Sequence, residues 1–283
     1  MNIVVCIKQV PDTNEVKFDS VTNNIIREGT PSIINPYDAH GVEAALQIKA
    51  DKGGRVTVVS MGPHQAKEAL QYCLEMGADE AILLSDKAVS GSDTLATAYA
   101  LSELIKTINA DLIICGNEAI DGCTGQVGPI IAGNLGVTQF TYVRDFKIEG
   151  NKLIVWREVG SNIEHYEAKL PALICVLKDI NHLRIGSKTD KKPRIVTATE
   201  LNLKPAKIGI DGSPTRVVEI RISDIKAKSY VEIDDSLPWD KRIEMIINGG
   251  LTHREKIDLW RGSADELANR LLTQSELIKS LGL

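Results

Sequence analysis

The 283-residue chain is 43% hydrophobic and 25% charged, with a formal net charge of −5 and only 4% aromatic residues. That balance suits a globular protein with one large domain or two modest ones; it disfavours a basic nucleic-acid footprint or a row of base-stacking aromatics, so no nucleic-acid partner is expected. No stretch approaches the ~18 apolar residues of a membrane span, and the apolar run after Met1 is short and lacks a basic start, so neither membrane association nor a signal peptide is expected.

In chain order, residues 1–135 alternate strand and helix signals. Continuous apolar runs at 3–7, 55–61, 81–84 and 112–115 read as strands buried on both faces. Between the first two, Asn35 is placed to cap a helix, with Pro36 in its first turn and Asp38 toward the positive end of the dipole. Val42, Ala45 and Leu46 follow at helical spacing. After Pro63 a second helix carries the stripe Ala66, Ala69, Leu70, Cys73 and Leu74 and stops at Gly77. A third opens near Asp93 and Thr94, and a fourth follows the glycine-bearing loop at 122–128. Such alternation predicts a parallel, Rossmann-like α/β sheet with right-handed crossovers. Residues 10–34 form a long insertion, read as a hairpin or an arm.

From residue 140 the period changes to two. Alternating segments at 141–148, 152–158 and 164–169 are separated by turn signals at 150–151 and 160–162. With the apolar run at 173–177 they predict an antiparallel extension of the sheet. Residues 188–194 (KTDKKPR) read as a linker. The expected division is therefore an α/β domain over 1–190, then a linker and C-terminal helical arm over 191–283 that packs on another chain. Within the arm, Thr252 with Glu255 and Ser263 with Glu266 have capping-box spacing, and Trp239 and Trp260 are expected to anchor packing.

The five cysteines, at 6, 73, 115, 123 and 175, are odd in number and lack a CxxC pair. They fit a reducing cytoplasm and supply no metal or iron–sulfur ligand set. No residue pattern offers a nucleophile with an evident base. The stretch that carries chemistry is 115–128, CGNEAIDGCTGQVG. Its glycines allow close backbone approach, Thr124 and Gln126 add donors, and the following helix start favours phosphate. Asp121 is placed to bond a ribose hydroxyl or to cap the helix. A plain strand-to-helix turn is the alternative for any glycine-rich loop. Ligands of open α/β sheets bind outside the carboxyl ends of the strands. That edge gathers Cys6 to Lys8, Met61 to Pro63, Asp93 with Thr94, and the loop itself. Lys8 is either a phosphate contact or a solvated lysine. His40, His64 and His253 read as surface residues, and the Trp156–Arg157–Glu158 run as a sheet face with an ion pair.

These segments together resemble the β subunit of electron transfer flavoproteins. The residues that carry the resemblance are Lys8, Val10 and Asp12; Asn35 with Pro36; Met61 to Pro63; Met76 to Asp79; Gly116 to Gly128 with Ala119, Ile120 and Asp121; and Arg157 with Glu158, Glu164 and Pro171 to Ile174. The fold implied is that of the adenine-nucleotide alpha-hydrolase-like group. The resemblance implies a heterodimer with a flavin-bearing alpha subunit. It places adenosine-phosphate contacts at Cys6, Asn35, Pro36, Tyr37, Asp38 and Met61, and at Gly116, Asn117, Glu118, Ala119, Ile120, Asp121, Gly122, Cys123, Thr124, Gly125, Gln126 and Val127. The loop sequence is similar to that of electron-bifurcating members, which implies FAD, with AMP as the alternative. Thr94 and Thr97 would then lie toward the isoalloxazine.

The function implied is the FAD-bearing subunit of an oxidoreductase complex linking NAD(H), a ferredoxin and a partner flavin-dependent dehydrogenase. Residues 181–190 lack the leucine-containing loop, rich in Pro, Met, Ala and Lys, of members that serve acyl-CoA dehydrogenases. That departure points toward another dehydrogenase, such as one for lactate or a related 2-hydroxy acid. A non-bifurcating relay that holds structural AMP is one alternative function, and a free-standing nucleotide-binding module is another.

Overall fold

A computed structural model describes residues 1–12, 32–215 and 237–247, together with Ser263 and Glu266. It divides into two compact units, Met1–Arg221 and Ile222–Leu283. The first contains β1 (Asn2–Cys6), β2 (Gln9–Pro11), β3 (Ser32–Ile34), α1 (Pro36–Lys52), β4 (Arg55–Met61), α2 (Lys67–Met76), β5 (Glu80–Leu84) and α3 (Thr94–Lys106). It continues with β6 (Leu112–Gly116), α4 (Val127–Leu135), β7 (Thr138–Glu149), β8 (Lys152–Val159), β9 (Asn162–Lys169), β10 (Ala172–Val176) and β11 (Arg194–Val196).

The four apolar runs become neighbouring parallel strands of one sheet, in the order β11-β5-β4-β1-β6-β10-β7-β8-β9. Alternate residues of each strand point to opposite faces. Ile3 and Val5 therefore join a core with Val42, Leu46, Leu70 and Leu74 of α1 and α2. Val4 and Cys6 join another with Leu101, Leu104 and Ile131 of α3 and α4. The predicted stripe of α2 (Ala66, Ala69, Leu70, Cys73, Leu74) is buried throughout. The chain winds from β1 outward through β4 to β5, then returns to the other side of β1 as β6. The crevice between the carboxyl ends of β1 and β6 is thus the topological switch point, where open α/β sheets take ligands.

The antiparallel extension exists as expected: β7, β8 and β9 pair in antiparallel fashion. Its attachment is not local, because β10 inserts between β6 and β7 and runs parallel to both. Arg157 of β8 donates to Thr141 and meets Glu164 at 3.6 Å, and Trp156 stacks on His165. The insertion after β1 begins and ends as a two-stranded antiparallel pair, β2 with β3. Its remaining residues, 13–31, lie outside the described residues.

The first compact unit runs well past the boundary expected at residue 190. The stretch read as a linker ends in β11, which pairs in parallel with β5, and Arg194 approaches Glu80 at 3.5 Å. Val196, Ala198, Leu203 and Ile208 are then buried against the α3 face. In the second unit, α5 (Trp239–Ile247) is helical, and Trp239 at its start is 71% exposed. Ser263 and Glu266 form the expected reciprocal capping box: each backbone N–H donates to the other's side chain, at 2.9 and 3.3 Å. Thr252, Glu255, His253 and Trp260 lie outside the described residues. No helix among the described residues is long and apolar enough to cross a membrane.

One ion pair fixes the segment after β10 to α1. The Arg184 guanidinium donates to both carboxylate oxygens of Glu43 at 2.7 and 3.0 Å, and the Glu43 side chain is only 5% exposed. Beside it, Asn181 donates to the His40 carbonyl and bonds the His40 ring, so His40 is half-buried, whereas His64 is exposed as expected. An Arg184→Met variant leaves a buried carboxylate without its charged donor. It is expected to unfold with about 2 kcal/mol less stability, measured by urea denaturation.

Candidate functional site

The site begins with the way β1 and β6 end. Cys6 and Cys115 are register partners on these adjacent strands, and Cys175 of β10 is the next in the same row. All three are buried free thiols. The Cys175 thiol is pushed up by its hydrogen bond with Cys115 first and by burial second, so it stays protonated. Packing thus explains these cysteines. Beyond the row the two chains diverge, β1 into Lys8 and β6 into the 116–126 loop.

Asp38 closes that divergence. Its carboxylate accepts the Lys8 amide at 2.7 Å and the Gly116 amide at 3.1 Å, and the residue is only 6% exposed. Burial pushes its carboxyl up to about 7, against the lowering effect of Asn35, the two amides and the Lys8 charge. Asp38 stands in the first turn of α1 as expected for the dipole, and in addition it joins the ends of β1 and β6. It lies one helical turn before Val42, on the buried stripe of α1.

Asn35 precedes the first residue of α1, but no side-chain bond caps the helix. Its amide reaches the loop instead, donating to the Glu118 carbonyl at 2.9 Å and accepting from the Ile120 amide at 3.2 Å. Lys8 provides the third tether: its ammonium pairs with both oxygens of Asp121, at 2.6 and 2.7 Å. Asp121 thus serves as the partner of Lys8, and α4 has no side-chain cap at all. Between Asn35 and Asp38, Pro36 and Tyr37 are half-buried. Burial first, then the Glu118 carboxylate, pushes the Tyr37 phenol up.

The loop also ties to the other side of the crevice. Asn117 is buried; its amide donates to Val176 at 3.0 Å and its side chain accepts the Tyr142 amide at 2.9 Å. The Cys123 amide donates to the Ala119 carbonyl at 2.8 Å, closing a turn in which Cys123 takes a φ of +50°.

The glycines of the loop divide into two kinds. A Cβ on Gly116 would lie 2.2 Å from Asp38 Oδ1, and one on Gly128 would lie 2.5 Å from the Cys175 sulfur. These two are demanded by packing. Gly125 has a φ of +60°, which favours glycine, while Gly122 would place a Cβ in open space. The stretch from Gly122 to Gln126 is largely exposed, with open space at Gly122 and the exposed side chains of Cys123, Thr124 and Gln126. The amides of Gln126, Val127 and Gly128 open α4 and have no acceptor within the helix. Such a set suits an anionic group.

Cys6 and Met61 end their strands at the same edge of the sheet. Thr94 and Thr97 lie half-buried in the first turns of α3, which packs beside α4 and bonds it through Ser102 and Asn134. Among the described residues, no hydrogen bond joins either threonine to the loop.

Sequence reasoning missed the knot at the start of α3. Asp93 caps the helix by accepting from Leu95 and Ala96 at 3.0 Å, and it also takes the Thr215 amide and hydroxyl. Ser92 accepts from Gly209 and Ser213 accepts from Asp93, so residues 209–215 are laced to this end of the sheet. Partial burial pushes the Asp93 carboxyl up, but the hydrogen bonds from Ala96, Thr215 and Leu95 outweigh it and hold the carboxyl below its usual value. Asp93→Ala should therefore cost about 1 kcal/mol near neutrality. The difference from wild type should shrink as pH falls below about 4, where the native carboxylate protonates, as followed by urea titrations at several pH values.

Comparison with known proteins places this architecture. The model of the electron transfer flavoprotein domain matches residues 22–202. The electron transfer flavoprotein subunit beta of Thermoanaerobacterium thermosaccharolyticum is 51% identical over 225 residues, covering 77% of this chain and 86% of the relative. That of Megasphaera elsdenii is 48% identical over 234 residues, covering 78% and 87%. A third relative, the caffeyl-CoA reductase-Etf complex subunit CarD of Acetobacterium woodii, is 47% identical over 225 residues, covering 77% and 86%. A parallel sheet with a tethered loop at its switch point, matched over most of its length at such identities, leaves one assignment: the chain belongs to the electron transfer flavoprotein family, on its beta-subunit side.

Proposed function

We propose that this chain holds FAD in the crevice between β1 and β6 and works as one subunit of an electron-bifurcating complex. The complex would pair it with an alpha subunit and exchange electrons among NAD(H), a ferredoxin and a partner flavin-dependent dehydrogenase. Electron transfer is the role of the family; FAD at this crevice and bifurcation are the finer reading. The observation that carries it is the loop after β6. Its first half is tethered by Asn35, Asp38 and Lys8, and its second half, from Gly122 to Gln126, is largely exposed, with open space at Gly122 and a positive φ at Gly125.

The residues present fit an anionic dinucleotide. The amides from Thr124 to Gly128 would hold the diphosphate, Asn35 and Asp38 fix the first half of the same loop at Gly116, Glu118 and Ile120, and Cys6 and Met61 would lie beneath it at the ends of their strands. Bound there, a flavin supplies the hydride and single-electron chemistry, and the protein supplies position and electrostatics. The relative from Acetobacterium woodii, named as part of a reductase–Etf complex, supports a place inside a larger assembly. The sequence of residues 181–190, without the leucine-containing loop of members that serve acyl-CoA dehydrogenases, favours another partner. The segment 222–283 is assigned to contact the alpha subunit.

Co-purification with the native partner, followed by acid extraction and identification of the nucleotides, tests the reading. Two FAD per heterodimer support it. One FAD and one AMP per heterodimer would establish the simple relay instead.

A further inference from the structure

Resting on the reading of the loop as a nucleotide cradle, we propose that Asp38 is its positioning residue: as a carboxylate it holds the Lys8 and Gly116 amides together and so sets the loop in the form that accepts a diphosphate. Each carboxylate oxygen has its own donor, Oδ2 the Lys8 amide and Oδ1 the Gly116 amide. Those two amides belong to the strands that border the crevice, at the point where they separate. Everything after Gly116 is placed from there, and the Asn35 and Lys8 tethers continue the same support along the loop.

Protonation breaks the arrangement on one side. Both partners are main-chain N–H donors that never titrate, and the hydroxyl oxygen of a protonated carboxyl is a donor and a poor acceptor. One amide must then lose its bond, and the mouth of the crevice relaxes. The groups that face Asp38 are few. The Lys8 cation after β1 and the Asn35 amide favour the carboxylate. The thiols of Cys73 on α2, Cys115 on β6 and Cys175 on β10 also feel its charge, and all three sit above the usual thiol value and stay neutral. Asp121 acts only through Lys8. His40 lies two residues on, with its ring turned to Asn181.

The burial that pushes this carboxyl up to about 7 places its titration in the ordinary working range. The signs then separate positioning from mere structure. A raised value means that Asp38 contributes less to the stability of the empty fold as pH rises from the ordinary carboxylate range through 7. The cradle, which needs the carboxylate, tightens over the same range.

The test titrates FAD into the full chain, followed by flavin fluorescence anisotropy between pH 6 and 8, where the FAD diphosphate does not change charge. The wild-type Kd should be about ten-fold higher at pH 6 than at pH 8. Asp38→Asn should bind more weakly with a flat profile. Lys8→Met, which removes a cation favouring the carboxylate, should move the midpoint to higher pH. Histidine is the other side chain that titrates in this range, so His40→Asn should keep the wild-type profile.

A flat wild-type profile, an unchanged profile in Asp38→Asn, or a profile lost in His40→Asn overturns the proposal. If Asp38→Asn does not fold, the wild-type, Lys8→Met and His40→Asn profiles decide it. FAD failing to bind at any pH overturns the cradle reading as well, whereas binding with a flat profile overturns only the role of Asp38.

Discussion

Gly116→Ala is expected to lower the unfolding free energy by about 2–3 kcal/mol, measured by urea denaturation. The added methyl would lie 2.2 Å from Asp38 Oδ1, 2.7 Å from Tyr37 Cβ and 3.0 Å from the Asp38 amide nitrogen. None of these can swing away, because Asp38 is buried and bonded to two main-chain amides, one of them that of Gly116 itself. Relief therefore requires the start of α1 to move off the end of β6, which separates the clamp that organises the loop. Loss of stability and loss of nucleotide should go together in this variant. Gly122→Ala is the contrast: nothing lies within 4 Å of its added methyl, so stability should stay within about 0.5 kcal/mol of wild type.

Gly122→Glu is expected to weaken FAD binding by about 100-fold while leaving the urea midpoint in place. Here the substitution adds a negative charge to the stretch of main chain offered to the ligand, beside Asp121, whose charge Lys8 already offsets. Open space at Gly122 means that the fold tolerates the side chain. The cost should fall on the bound anion, since like charges at a desolvated contact cost several kcal/mol. Equilibrium titration with FAD reads the effect directly. An affinity unchanged by the new carboxylate would show that the ligand lies elsewhere.

Positions 116 and 122 belong to parts of the site that differ in how far sequence alone reveals them. The glycine-bearing loop was legible, because a strand-like run of Leu112 to Cys115 leads into it and a helix follows. The four central strands were legible for the same reason: a strand buried on both faces has nowhere to place a polar residue. The start of α1 was legible from Asn35 and Pro36, yet the job of Asn35 was not. Its side chain serves a loop more than eighty residues away in sequence, a partner that local capping rules do not contain.

Asp38 did carry a signal, since it falls on the stripe of Val42 and Ala45. An acidic residue in the first turn of a helix has an ordinary explanation in the dipole, and that explanation hides the rarer one. The positions of β10 and β11 were beyond reach for a different reason. β10 sits between β6 and β7, and three residues after Pro193 extend the opposite edge beside β5. Both pairings are between distant segments, and a three-residue strand after KTDKKP has too little pattern to stand out from a linker.

In the proposed function, main-chain amides from Thr124 to Gly128 grip the diphosphate of FAD. A crystal structure of the complex isolated with its native partner and its endogenous nucleotide tests it most directly. Density is expected for a complete FAD with its diphosphate on those amides and the Asp38 bonds to Lys8 and Gly116 intact. An empty crevice, a mononucleotide in its place, or a dinucleotide bound away from the loop would contradict it.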